Sequence, residues 1–192
     1  VQDIYTEALL SSADKYVANE LASGILINNS DLKGVISFEF LALPRIVQSS
    51  PIFGSALCDV NGDGYLDLYV VQNFSGPQRE TGYMHGGVSQ LLLGDGSGAF
   101  RPVPPNESGL IVRGDATSLT TTDLNGDGKP DFLVGVNNGK YELFTNQFKT
   151  SSLSIRLPDY PKGRKFVGSK IRIYFKDNSV QLHQLNIGGG YL

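Results

Sequence analysis

Asp59-Val60-Asn61-Gly62-Asp63-Gly64-Tyr65-Leu66-Asp67 and Asp123-Leu124-Asn125-Gly126-Asp127-Gly128-Lys129-Pro130-Asp131 are two copies of one pattern, 64 residues apart. The likeness extends upstream without a gap. Phe53-Gly54-Ser55-Ala56-Leu57-Cys58 precedes the first copy and Thr117-Ser118-Leu119-Thr120-Thr121-Thr122 precedes the second. An apolar run follows each, Leu66 to Val71 (broken only by Asp67) and Phe132 to Val136. A fixed internal period of this size points to a repeat architecture in which each copy is one supersecondary unit. Sixty-four residues accommodate a four-stranded unit with one long loop.

Working outward, the apolar runs are short. They are rich in Val, Ile, Leu, Tyr and Phe and are bounded by Gly, Asn, Asp and Pro, which predicts strands. Gln90 to Leu93 and Tyr141 to Phe144 are second strands after each loop, and Gly94 to Phe100 is a tight turn. Lys15 to Ala18, Gly24 to Asn28 and Ser37 to Leu43 are three expected strands of a preceding unit. A helix is expected only near Tyr5 to Leu10. From about residue 151 Lys and Arg become frequent. Three more strands are expected there, Leu153 to Leu157, Lys170 to Phe175 and Val180 to Ile187. The turn Lys176-Asp177-Asn178-Ser179 joins the last two. A boundary is placed at 150, with residues 1–150 holding the repeats and 151–192 a small β segment.

Composition narrows the function. The 192 residues are 40% hydrophobic, with 23 glycines and 19 Tyr and Phe, which supplies a core and many turns. There are 16 basic and 19 acidic residues. Without the six loop aspartates, 13 acidic residues would face 16 basic ones, so the negative charge is concentrated in the loops. That distribution points to cation sites, and no basic run is dense enough for nucleic acid. One cysteine, Cys58, excludes an internal disulfide. No apolar run reaches the roughly 20 residues that span a bilayer, so membrane insertion is not expected. The chain starts at Val1 without a signal peptide and is expected to be a fragment or a processed form.

Alternate positions of each loop carry candidate ligands: Asp59, Asn61, Asp63, Tyr65 and Asp67, then Asp123, Asn125, Asp127, Lys129 and Asp131. Calcium takes six to eight oxygens at about 2.3–2.6 Å, and a curling loop turns every second residue inward. Position seven, Tyr65 or Lys129, would act through its backbone carbonyl. Gly62, Gly64, Gly126 and Gly128 permit the positive φ angles of the curl. Unpaired carboxylates about 4 Å apart repel by about 4 kcal/mol at an effective dielectric of 20, which a divalent ion would offset. Two Ca2+ sites are therefore expected, and zinc is disfavoured by the lack of a Cys and His cluster. An EF-hand needs Glu at position twelve, where Val70 and Val134 stand, and helices where strands are expected. A dockerin also continues into a helix. As a metal-free reading, Asn-Gly-Asp-Gly is also a sound turn sequence.

These residues resemble the FG-GAP/VCBS-type repeat of integrin α-subunit propellers and bacterial surface proteins. Phe53-Gly54 is similar to its leading pair, Asp59 to Asp67 to its calcium loop, and Asp67-Leu68-Tyr69-Val70 to the strand that follows. The second copy has Thr117-Ser118 in place of Phe-Gly. The tail resembles an ASPIC/UnbV module at Leu153-Ser154-Ile155-Arg156-Leu157, Val167-Gly168-Ser169-Lys170-Ile171 and Gly188-Gly189-Gly190-Tyr191-Leu192. The resemblance implies an all-β fold, a partial or complete β-propeller of FG-GAP-like blades plus a small C-terminal β module. About two and a half blades fit at four strands each. Open sheet edges would then pair with further sheets, for instance in a homo-oligomer.

The function expected is a calcium-binding extracellular, cell-surface or periplasmic interaction or adhesion module, with calcium structural. Its partner would be a protein or a glycan. The alternatives are a non-catalytic or carbohydrate-binding part of a larger secreted enzyme, and a spacer. Catalysis is not expected. His85 and His183 sit in no nucleophile motif and are expected at the surface; Ser89 and His183 could meet in space in principle, but such a pairing is not expected. Cys58 is expected to be a buried thiol. Asn28, Asn73 and Asn106 begin glycosylation sequons.

Overall fold

The computed structural model describes residues 5–149 except 32, together with 155, 166, 168–176, 178 and 180–185. The fold is all-β; the described residues include two short α-helices, α1 (Glu7–Ser12) and α2 (Pro105–Ser108), and one 3-10 helix at Arg45–Ser49. Four antiparallel sheets follow one another along the chain. Sheet A pairs β1 (Gly24–Asn28) with β2 (Phe38–Ala42). Sheet B is four-stranded, in the order β3 (Ile52–Cys58), β4 (Asp67–Gln72), β5 (Gln90–Gly94), β6 (Phe100–Pro102). Sheet C has the order β7 (Ala116–Thr122), β8 (Asp131–Val136), β9 (Glu142–Phe144). A terminal hairpin pairs β10 (Lys170–Tyr174) with β11 (Val180–Gln184).

The repeat is real in three dimensions. β3–β4 and β7–β8 pair in the same register offset by 64 residues, down to Cys58↔Asp67 and Thr122↔Asp131. Each pair even slips register at the same place, between Ile52 and Gly54 and between Ala116 and Ser118.

Period-two patterning explains how the sheets stack. Every residue of β4 is buried, so sheet B is covered on both faces. Leu68 and Val70 face sheet A, in a cluster with Leu43, Val47, Leu92, Ile25 and Phe100. Tyr69 and Val71 face the other way, against Leu119, Phe132 and Val134 of sheet C. Phe132 and Val134 are the counterparts of Leu68 and Val70, so each sheet receives its predecessor on the same face. The Tyr69 and Phe132 rings pack at 4.8 Å and 41°. Burying such side chains stabilises by about 1.5–3 kcal/mol apiece, and this layer fixes the spacing of the two loops. β3 comes so close to sheet C that a Cβ on Gly54 would lie 2.9 Å from Val71 Cγ2 and 3.2 Å from the Leu119 backbone N.

Several expectations need correction. Lys15 to Ala18 is not a strand; it is exposed, irregular chain, and Tyr16 and Val17 have no neighbouring strand to pair with. The helix sits later than Tyr5 to Leu10, because Thr6 caps it by accepting a hydrogen bond from Leu9 N. Among the described residues sheet C has three strands. Apart from Ile155, the expected strand Leu153 to Leu157 lies outside the described residues, as do Val167 and the closing Gly188 to Leu192.

Candidate functional site

Both acidic loops leave a strand end and re-enter at the next strand, at the same end of neighbouring sheets. Loop one is built from side-chain-to-backbone turns. Asp59 accepts from Gly62 N (2.7 Å, Oδ1) and Gly64 N (2.9 Å, Oδ2). Asn61 Oδ1 accepts from Asp63 N at 2.9 Å, and Asp63 Oδ1 accepts from Tyr65 N at 2.9 Å. Loop two repeats every bond: Asp123 takes Gly126 N and Gly128 N, Asn125 takes Asp127 N, and Asp127 takes Lys129 N. The four glycines have φ between 77° and 92°, as the curl requires.

The ninth position behaves differently from the others. Asp67 and Asp131 are fully buried. Asp67 Oδ2 accepts from Val60 N (2.9 Å) within the loop, and Oδ1 accepts from Gly94 N (3.0 Å) at the end of β5. Asp131 does the same with Leu124 N (2.9 Å) and Asn146 N (2.7 Å). Each carboxylate thus ties its loop to its own sheet. Burial pushes the Asp67 carboxyl above its ordinary value. The Val60 and Gly94 bonds oppose that shift, while the Asp63 and Asp59 charges add to it. Cys58, half-buried beside them, has its thiol pushed up to about 12 by burial, then by Asp67 and Asp59, so it is a neutral thiol.

The loops differ at position seven. Loop one has Tyr65 there, whereas the Lys129 ammonium sits 3.2 Å from Asp127 Oδ2. The Asp127 carboxyl is held below its ordinary range, chiefly by the Lys129 backbone N–H, with further help from the ammonium.

Whether these residues suit calcium turns on donor chemistry. Asp59, Asn61, Asp63 and Asp67 present only oxygens. A carboxylate has about four lone-pair sites. Asp59 and Asp67 each spend two on backbone N–H groups and keep two. Among the described residues no basic side chain bonds Asp67. A carboxylate raised by burial, with two neighbouring negative charges adding to the shift, is a place where a hard cation is favourable. The chemistry fits. The described residues nonetheless hold no cluster of three Asp, Glu, His or Cys groups close enough to form a ready metal centre. Asp63 Oδ2 is instead turned toward Asn61 Nδ2, at 2.8 Å.

Some important residues were not evident from the sequence. Asn146 Nδ2 donates to the Val60 carbonyl (2.9 Å), linking sheet C to loop one across 86 positions. At the other end of sheet B, Asn73 is fully buried with a positive φ. Its amide bonds Gly87, Arg113 and Gly114 carbonyls, so its sequon is inaccessible in the folded chain. Ser89 is buried in the core and His183 lies on the terminal hairpin beside Gln181. The Ser, His and Asp that do meet are Ser75, His85 and Asp115. Ser75 Oγ is 2.5 Å from His85 Nε2, and both contact Asp115 Oδ1, at 2.8 and 2.7 Å. One ring nitrogen meets both serine and carboxylate, which is a three-way tie and not a proton relay through the imidazole.

The sequence model of the FG-GAP-like repeat matches residues 59–134. The match spans about two fifths of the chain. It begins on the first aspartate of loop one, takes in the rest of sheet B and loop two, and ends in β8. This supports an FG-GAP-type repeat and is consistent with the blade-like sheets. No curated protein and no solved structure matches the chain. No helix among the described residues is long and apolar enough to cross a membrane.

Proposed function

We propose that the chain is an extracellular or cell-surface interaction module whose two acidic loops bind calcium as a structural ion. The observation that carries this reading is the bond-for-bond repetition of the two loops. Asp59, Asn61 and Asp63 and then Asp123, Asn125 and Asp127 form identical successive turns ending on a buried aspartate. A sequence that needed only a tight turn would not require three acidic groups on it twice. Asp59, Asn61, Asp63 and Asp67, and their counterparts Asp123, Asn125, Asp127 and Asp131, would supply side-chain oxygens. Tyr65 and Lys129 would supply carbonyls. Bound calcium would neutralise the loops and lock neighbouring sheet ends together.

The FG-GAP-like match favours an adhesion-type role outside the cytoplasm, where calcium reaches the range of about 10⁻⁴–10⁻³ M suited to extracellular modules. The protein or glycan partner would be met by loops carried on the rigid sheets. The test is thermal melting with calcium and with chelator. Calcium should raise the melting temperature by several degrees, and Asp63→Ala with Asp127→Ala should abolish the rise. Identical melting curves in both conditions would contradict the proposal.

A further inference from the structure

The terminal hairpin is seated on loop one. Gln181 Nε2 on β11 donates to the Gly64 carbonyl. The other end of that amide, Oε1, lies 3.4 Å from His183 Nε2. The peptide between Gly64 and Tyr65 is therefore gripped from both sides, its carbonyl by Gln181 and its N–H by Asp63 Oδ1 at 2.9 Å. Ile173, Gln181 and His183 line a cavity of about 500 Å³ together with Asp59 and Gly62 of loop one and Asp123 and Lys129 of loop two. On β10 and β11 these side chains belong to the half-buried alternate set, while Arg172, Tyr174 and Leu182 are exposed.

A two-stranded hairpin is marginal on its own in water, so what it rests on decides how firmly it is ordered. We propose that calcium binding at loop one and docking of the β10–β11 hairpin are coupled, the shared element being the Gly64–Tyr65 peptide. With Asp63 and the Tyr65 carbonyl held as ligands, the adjoining Gly64 carbonyl that Gln181 grips would be fixed as well. By reciprocity the docked hairpin raises loop-one affinity by the same factor. The inference rests on the calcium reading above and adds a regulated contact to it: the ion sets whether the C-terminal segment lies across the loop end or is released to other contacts.

Hydrogen exchange of the full chain, read on peptides covering 168–185, tests this alongside calorimetry. Saturating calcium should slow hairpin exchange about fivefold or more. The slowing should vanish in Asp63→Ala. Gln181→Leu, which leaves both loops intact, should remove the slowing and weaken loop-one affinity by a similar factor. Calcium binding in the calorimeter with unchanged hairpin exchange would overturn the coupling and leave the calcium reading standing. Absence of any binding heat would overturn both.

Discussion

Loop one and loop two have the same turns and different charge. Every side-chain-to-backbone bond of Asp59 to Asp67 has its counterpart in Asp123 to Asp131. Yet position seven puts the Lys129 ammonium on Asp127 in loop two where loop one has Tyr65, and Gly64 of loop one is bonded to Gln181 of the terminal hairpin. Backbone geometry is set by the glycines and by short side chains that accept from nearby N–H groups, and those are identical. Affinity is set by net charge and neighbours, and those are not. Two matching motifs therefore do not make two equal sites.

The shared part of the comparison is broken most severely at position nine. Asp67→Ala and Asp131→Ala each orphan two backbone N–H groups that bond a charged carboxylate, and each should cost about 3 kcal/mol in chemical denaturation. Near-equal losses would establish the two aspartates as equivalent ties. A neutral Asp131→Ala would show that the second repeat holds its loop in another way.

The next largest effect lies where the repeats differ upstream. Gly54→Ala drives a Cβ against Val71 and the Leu119 backbone, and overpacking of this kind costs about 1–3 kcal/mol. The counterpart position already carries Ser118, so Ser118→Ala should be nearly silent. Equal losses would mean that the close approach of β3 to sheet C is not what selects glycine.

The smallest effect concerns position seven, and it sharpens the contrast directly. The Lys129 ammonium and an incoming cation would compete for the Asp127 carboxylate in a solvent-screened setting, so exchanging the cation should shift calcium affinity a few-fold. Lys129→Met should tighten loop two and Tyr65→Lys should weaken loop one, both read by calorimetry. No change in either variant would mean that the ammonium on Asp127 does not compete with the ion.

Much of this was legible from residue type and spacing. The repeat, its glycines and the strands flanking each loop follow from period-two apolar runs and from turns that need positive φ. The dual role of position nine was not, because an aspartate that ligates and one that ties backbone look the same in sequence. Asn146 and Gln181 were invisible for a different reason: each is an ordinary polar residue whose partner is far along the chain, Val60 in one case and Gly64 in the other. The Ser75, His85 and Asp115 contact was hidden by a separation of 40 residues. Lys15 to Ala18 has strand-like composition, but local propensity does not supply a partner strand.

Isothermal titration of the full chain with Ca2+ tests the central claim most directly. The account predicts two sites per chain, the tighter one lost in Asp63→Ala and the weaker one in Asp127→Ala. A flat titration into the millimolar range, or one whose binding is indifferent to both substitutions, would contradict it.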